Sequence, residues 1–391
     1  MSDKMIVGVI GAGTMGSGIA QVAAQAGHPT VLFDTRKEAV DKAMAGLQRT
    51  LEKLVEKGKI TSEAAASILG RIIPATEMTA LARCGLVIEA IVEDLAVKKK
   101  VFAELDALLS PDALLASNTS SLSVTAIAAA CSRPGRVVGL HFFNPAPLMP
   151  LVEVVPGVAT DPRACDAARL LMTAWGKVPV TCKDTPGFIV NRVARPYYGE
   201  SIRLFEEGVA DMATIDHALR SIGGFRMGPF ELMDLIGNDI NFTVTRTVWE
   251  SFFYEPRYRP SFTQQRMVEA GWLGRKTGRG YFTYDEKGQQ VASAAPSVAP
   301  ELAEQIVERV LAMLINEAAD ALHLGVASRA DIDLAMTKGV NYPKGPLAWA
   351  DEKGSAHWLR VLEGLQAEYG EDRYRPSPLL RRMARNAERL R

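Results

Sequence analysis

MIVGVIGAGTMG, residues Met5 to Gly16, decides the fold. An apolar run rich in valine and isoleucine leads straight into a turn with glycine at Gly11, Gly13 and Gly16, and helical spacing continues to about Gly27. A strand, a G-x-G-x-x-G turn and a helix in that order make a dinucleotide site. The small residues, with Thr14 and Met15 between them, let the backbone approach a pyrophosphate, and the helix N-terminus offers free N–H groups and partial positive charge. The next strand signal, TVLFD, ends in Asp34, about 20 residues on, where a carboxylate binds the two hydroxyls of an adenosine ribose. That carboxylate repels a 2′-phosphate and favours NAD over NADP, while Arg36 pulls the other way. A tight turn followed by a surface Asp would present the same residues without a ligand; the strand and helix on either side argue against it.

Outward from the turn, LVIEA, LLASN, VVGLH, LVEVV and KVPV alternate with helical stretches as far as about residue 180. The pattern predicts an α/β Rossmann-type domain on a largely parallel sheet. Lys37 to Ile73, rich in Ala, Lys, Glu and Leu and interrupted near Gly58, reads as a helical hairpin beside that sheet. At KDTPGF the strand pattern stops, and the chain beyond it has helical spacing with almost no strand signal. A polar, Ala/Ser/Pro-rich stretch from Glu286 to Pro300 reads as a linker. The expected domains are therefore 1–185, 186–285 and 296–391, the last two all-helical and in tandem.

Those two helical parts are copies of one another. A constant shift lays Gly208-Val209-Ala210 on Gly325-Val326-Ala327, Ile215-Asp216 on Ile332-Asp333 and Gly228-Pro229 on Gly345-Pro346, and RYRPS at Arg257 recurs at Arg373. The second copy has no counterpart of GWLGRKTGRGYF, Gly271 to Phe282, and Glu308 stands where the first has Asn191. Chemistry that needs those residues is expected once per chain.

The 391 residues, 48% hydrophobic and 23% charged, suit two or three folded domains of about 150 residues rather than a disordered chain. Forty-five basic residues balance forty-five acidic ones, so no net field draws the chain to nucleic acid or an anionic membrane. Cys84, Cys131, Cys165 and Cys182 lack CxxC spacing, which fits a reducing compartment, the cytoplasm, and offers no disulfide framework and no metal site. No apolar run reaches the ~20 residues of a membrane span.

His141 closes the strand VVGLH at the edge where ligands bind in such sheets, and Glu153 sits at the centre of the apolar run LVEVV. A carboxylate there is costly unless it is paired. If the two strands are neighbours, Glu153 fixes the tautomer of His141 and stabilises the cation formed when the other ring nitrogen takes a proton. A structural histidine and a carboxylate at a strand end are the alternative. Ser120, in LLASNTSSLSVT, and Asn191, in PGFIVNRV, are candidates to hydrogen-bond a reacting oxygen between the domains, although singly each residue type is more often a helix cap.

Together, GAGTMGSGIAQ, EAIVED, SNTSSLSVT, HFFNPAPLMPLVEVV, TPGFIVNR, GPFELMDLIG and WLGRKTGRGYF resemble the L-3-hydroxyacyl-CoA dehydrogenase family, the bacterial 3-hydroxybutyryl-CoA type in particular, over residues 4 to 285. The resemblance implies NAD-dependent, reversible oxidation of an (S)-3-hydroxyacyl-CoA, with His141 and Glu153 as base and orienter and Ser120 and Asn191 on the substrate oxygen. It adds Glu93, Lys98, Asn118, Ser120, Asn144 and Lys276 to the cofactor site and sets Thr50 and Lys57 against coenzyme A. Single-copy relatives resemble dimers, so the resemblance also implies that the second helical copy replaces a dimer contact. A dehydrogenase of a free hydroxyacid and a non-catalytic dinucleotide-binding protein are the rival readings.

Overall fold

Runs of valine, isoleucine and leucine with both faces covered are the mark of a parallel sheet, and the computed structural model, which describes residues 4–291 and 298–386, builds one of eight strands from them. The strands are β1 (Val7–Ile10), β2 (Thr30–Phe33), β3 (Ile72–Ala75), β4 (Leu86–Glu89), β5 (Leu114–Ser117), β6 (Val137–Phe142), β7 (Leu151–Pro156) and β8 (Val178–Thr181). They lie in the order β3-β2-β1-β4-β5-β6-β7-β8, all neighbours parallel except β6 and β7. Val7, Val9, Leu86, Ile88, Leu140 and Val154 are among its buried core.

Around the sheet run α1 (Thr14–Gln25), α2 (Lys37–Glu56), α3 (Ser62–Gly70), α4 (Leu95–Leu108), α5 (Val124–Ala128) and α6 (Pro162–Ala174). The helices α2 and α3 form the expected hairpin, with Thr61 capping α3 by accepting from the Ala64 N–H. The helical stretch was expected to reach Ile73; instead it ends at Gly70, and Ile72 and Ile73 extend into β3 against β2. Pro74 supplies the reason, because the residue before a proline is pushed out of the helical region and proline is tolerated on an edge strand.

The chain divides into two compact units, Met1–Phe188 and Ile189–Arg391. Near the end of the first unit the Asp184 carboxylate accepts from the Val124 and Thr125 N–H groups and the Ser123 hydroxyl, which ties it to the start of α5.

The second unit is helical: α7 (Val190–Val193), α8 (Arg195–Glu206), α9 (Met212–Ser221), α10 (Pro229–Ile236), α11 (Asn238–Ser251) and α12 (Phe262–Glu269), then α13 (Pro300–His323), α14 (Arg329–Gly339), α15 (Pro346–Lys353), α16 (Ser355–Tyr369) and α17 (Pro378–Asn386). Residues 292–297 of the expected linker lie outside the described residues. The repeat is visible in its hydrogen bonds. Asp216 accepts from the Phe230 and Glu231 N–H groups at the start of α10, and Asp333 accepts from Leu347 and Ala348 at the start of α15.

The two copies pack on each other through a reciprocal pair of buried ion pairs. Arg192 reaches Glu317 at 2.5 Å, and at the matching positions Arg309 reaches Glu200 at 2.6 Å. Tyr258 and Tyr374, matched through the RYRPS repeat, donate to Glu317 and Glu200, each at 2.6 Å. One local contact thus occurs twice, as expected when two copies of one sequence meet face to face.

Candidate active site

Each glycine of the turn between β1 and α1 has its own task. Gly11 adopts φ +99°, a left-handed conformation closed to most side chains, and a Cβ on it would lie 2.5 Å from the Ala90 carbonyl oxygen. A Cβ on Gly16 would lie 1.8 Å from the Gly11 carbonyl oxygen, so only glycine lets the helix sit on the strand. Gly13 faces open space within 4 Å. The turn therefore leaves room at the N-terminus of α1, where unpaired N–H groups favour a pyrophosphate.

Next to it is a cavity of about 740 Å³ whose lining includes Gly13, Thr14, Arg36, Lys42, Thr50 and Asn144. Asp34, just past β2, accepts from the Ala12 N–H at 3.0 Å and the Arg36 N–H at 3.0 Å. Its carboxylate is thus fixed at the turn, with the Arg36 Nε 3.6 Å away. These residues fit a dinucleotide: room at the pyrophosphate, a fixed acid for the ribose, and basic side chains at the cavity.

Beside the turn, β4 and β5 end in a buried polar cluster. Glu89, fully buried, accepts from the Lys98 ammonium at 2.6 Å, the Ser117 hydroxyl at 2.7 Å and the Ile91 N–H at 2.7 Å. Glu93 accepts from the Thr119 hydroxyl at 2.5 Å and the Ser120 N–H at 3.0 Å, and Lys98 stands 3.2 Å away. Burial works against its charge, but Lys98 and the donors from Thr119 and Ser120 outweigh it and hold the carboxyl below its ordinary range. Glu93 and Lys98 therefore shape the loop that presents Ser120. Lys98, 1% exposed, has its ammonium on the two glutamates. Asn118 ties the same region to β6 by accepting from the Phe142 N–H at 2.8 Å.

Glu89 escaped the sequence reading, although its signal was the one that singled out Glu153: a carboxylate in an otherwise apolar strand, here LVIE.

His141 and Glu153 stand directly opposite each other in the antiparallel β6/β7 pair, and the imidazole Nδ1 lies 2.7 Å from Glu153 Oε2. His141 is 6% exposed and Glu153 is fully buried. The aromatic rings of Phe143 and Phe188 lie 4.5 Å and 5.8 Å from the imidazole. With Nδ1 engaged by the carboxylate, Nε2 is the nitrogen available for proton transfer.

After β6 the chain passes Asn144, at the cavity, and Lys177 fastens this loop by donating to the Ala146 and Met149 carbonyls.

The remaining expected residues lie further out. Thr50, on α2, lines the cavity and donates to the Gly46 carbonyl at 2.9 Å, while Lys57, at the end of the same helix, is exposed and is not part of that lining. In the second unit, Asn191 is half-buried on α7, and the Lys276 ammonium pairs with Asp239 at 2.6 Å. Among the described residues no cluster of His, Cys, Asp and Glu could hold a metal ion, and no helix is long and apolar enough to cross a membrane.

The chain is similar to known proteins along most of its length. Residues 6–185 match the model of the 3-hydroxyacyl-CoA dehydrogenase NAD-binding domain, and residues 187–284 and 306–390 match that of the family's C-terminal domain. A 3-hydroxyadipyl-CoA dehydrogenase of Escherichia coli is 43% identical, with 98% of both chains covered. A 3-hydroxybutyryl-CoA dehydrogenase of Bradyrhizobium diazoefficiens is 45% identical over 71% of this chain and 94% of its own. The crystal structure of a 3-hydroxybutyryl-CoA dehydrogenase from Escherichia coli K12 superposes with a TM-score of 0.91 at 43% identity, covering 98% of each chain. The chain belongs to the 3-hydroxyacyl-CoA dehydrogenase family, with an NAD-binding domain and a helical C-terminal region that matches the family's C-terminal domain twice.

Proposed function

We infer that the protein catalyses reversible oxidation of an (S)-3-hydroxyacyl-CoA to the 3-ketoacyl-CoA, in fatty-acid or related acyl-CoA metabolism. The observation that carries this reading is the His141–Glu153 pair, a buried imidazole and carboxylate at 2.7 Å in a chain whose sheet also carries a dinucleotide turn.

In this reading His141 takes the hydroxyl proton on Nε2, and Glu153 holds the ring's other nitrogen and stabilises the imidazolium. Ser120 presents its hydroxyl from the loop that Glu93 organises, and Asn191 supplies a side-chain amide; both position the oxygen bound to carbon 3. The bound NAD supplies the hydride acceptor, and Asp34 selects it over its 2′-phosphorylated form. Thr50, at the cavity, and Lys57 are the residues set toward coenzyme A. Lys276 and Asn144 complete the dinucleotide's surroundings.

The test is NADH consumption with acetoacetyl-CoA at neutral pH, beside free acetoacetate and a longer 3-ketoacyl-CoA. Turnover confined to thioesters is the expected result, and turnover of the free acid would move the assignment to a hydroxyacid dehydrogenase. His141→Gln should lose about 10² to 10⁴ in kcat while still binding NADH, and unchanged turnover in that variant overturns the role of the pair.

A further inference from the structure

Arg195 is 7% exposed, and no carboxylate pairs with it among the described residues. Its guanidinium donates to the Thr245 hydroxyl at a long 3.3 Å and lies 4.9 Å from the centre of the Tyr198 ring; its Nε is buried with no hydrogen-bond partner. A guanidinium cannot shed its charge at any physiological pH, so a buried one without a counter-ion is an uncompensated desolvation. The contrast lies three residues away, where Arg192 is buried against Glu317 and Asp320.

A second orphan stands nearby. The hydroxyl of Tyr342, from the second helical copy, is buried without a partner, and its ring lies 5.7 Å from that of Tyr197, two positions past Arg195. Two buried donors of this kind lack one thing, an acceptor with more than one oxygen.

Position in the chain says what would supply it. Ala194, between α7 and α8, keeps right-handed helical angles (φ −79°, ψ −13°), so Arg195 lies one turn beyond Asn191 on the same side of a continuous helical path. Four residues advance such a path by roughly 6 Å. In a six-carbon acyl chain with a terminal carboxylate, that carboxylate lies three carbon–carbon bonds of about 1.5 Å beyond the hydroxyl-bearing carbon, and its oxygens reach further still.

We propose that Arg195, assisted by the Tyr342 hydroxyl, is a carboxylate subsite for the far end of the acyl chain, so that the preferred substrates are 3-hydroxyacyl-CoA thioesters with a carboxylate two methylenes past the hydroxyl carbon. This rests on the acyl-CoA reading above and on Asn191 lying at the reacting oxygen. Arg195 is a specificity-determining residue here and takes no part in proton or hydride transfer.

Two measurements test it. Calorimetric binding of adipyl-CoA and hexanoyl-CoA, which differ in a terminal carboxylate against a terminal methyl and cannot react, should favour adipyl-CoA by roughly 10- to 100-fold, the range of a charged hydrogen bond. Arg195→Met should abolish that preference, Arg195→Lys restore part of it, and Tyr342→Phe reduce it. In turnover, the ratio of kcat/KM for 3-oxoadipyl-CoA over acetoacetyl-CoA should fall by a similar factor in Arg195→Met. Equal binding of the two esters by the unmodified protein, or a parallel loss on both substrates in the variant, overturns the subsite while acetoacetyl-CoA reduction upholds the enzyme class. Absence of any thioester binding or turnover overturns the class itself and the subsite with it. If Arg195→Met does not fold, Tyr342→Phe decides the matter, and an unchanged ester preference in it counts against the subsite.

Discussion

Glu89 and Glu153 are carboxylates set in apolar strands, and each is held by a basic side chain, Lys98 in one case and His141 in the other. The difference lies in what the base can do. Lys98 at 2.6 Å from Glu89, with both side chains almost wholly buried, is an ion pair that fixes structure, whereas an imidazole can lose and regain its proton near neutral pH. Lys98→Met should therefore destabilise the protein by about 3–5 kcal/mol in urea unfolding, because it leaves a buried carboxylate unpaired; a loss within a few tenths would show that solvent reaches Glu89. Asp34→Ala should raise the KM for NAD far more than that for NADP, since the acid binds the ribose of one and repels the phosphate of the other; equal changes for both would deny the ribose role. The cysteines carry a separate expectation. Burial pushes the Cys84 thiol up to about 12, and burial with the Asp106 charge pushes Cys131 up to about 11. Because the thiolate is the reactive form, neither should be alkylated by iodoacetamide at pH 8 until the protein is unfolded, which peptide mass mapping reads directly.

At the scale of elements, the site is a set of strand ends and the turns that come after them. The register puts Glu89 and Ser117 side by side at the carboxyl ends of β4 and β5, and the antiparallel turn from β6 to β7 puts Glu153 across from His141. An antiparallel pair is the geometry that brings two residues twelve positions apart face to face, which a parallel crossover of that length could not do. The Ser120 loop depends on Glu93, which gathers donors from three consecutive residues, Thr119, Ser120 and Ser121. Glu93→Ala should lower kcat by loosening Ser120 while leaving the unfolding midpoint within a few degrees of the parent, and an unchanged kcat would mean that the loop holds its shape without it.

For the whole molecule, the reciprocal contacts of Arg192 with Glu317 and Arg309 with Glu200 bear on assembly, because they repeat one contact as a homodimer would. The second copy is expected to stand in for a partner subunit, so light scattering should give the mass of one chain; a two-chain mass that survives deletion of the tail would overturn this. The same contact sets an acid response. Glu317 is fully buried, which opposes its charge, but Arg192, Arg257 and the Tyr258 hydroxyl outweigh burial and hold it below the ordinary carboxylate range. A lowered folded value means stabilisation that is complete above about pH 4.3, the unfolded value, and is lost as pH falls through the folded one. Glu317→Gln should accordingly be less stable than the parent at pH 7, with the gap closing below about pH 4; a gap constant with pH would assign the effect to packing rather than charge.

The features that sequence alone determined obey rules acting over a few residues. The turn Gly11 to Gly16, Asp34 at the end of its strand and the helical repeat were legible because backbone sterics and strand or helix periodicity are local. The pairing of His141 with Glu153 was legible as a condition, since a carboxylate inside LVEVV needs a partner and one basic residue closed the preceding strand. Only the tertiary structure decided that Ile72 and Ile73 leave the hairpin for the sheet edge, that Lys98 serves Glu89 and Glu93, and that Arg192 finds a carboxylate 125 positions away while Arg195 finds none among the described residues. Whether a buried charge is compensated depends on which distant side chains packing brings within about 4 Å, and no local pattern encodes that distance.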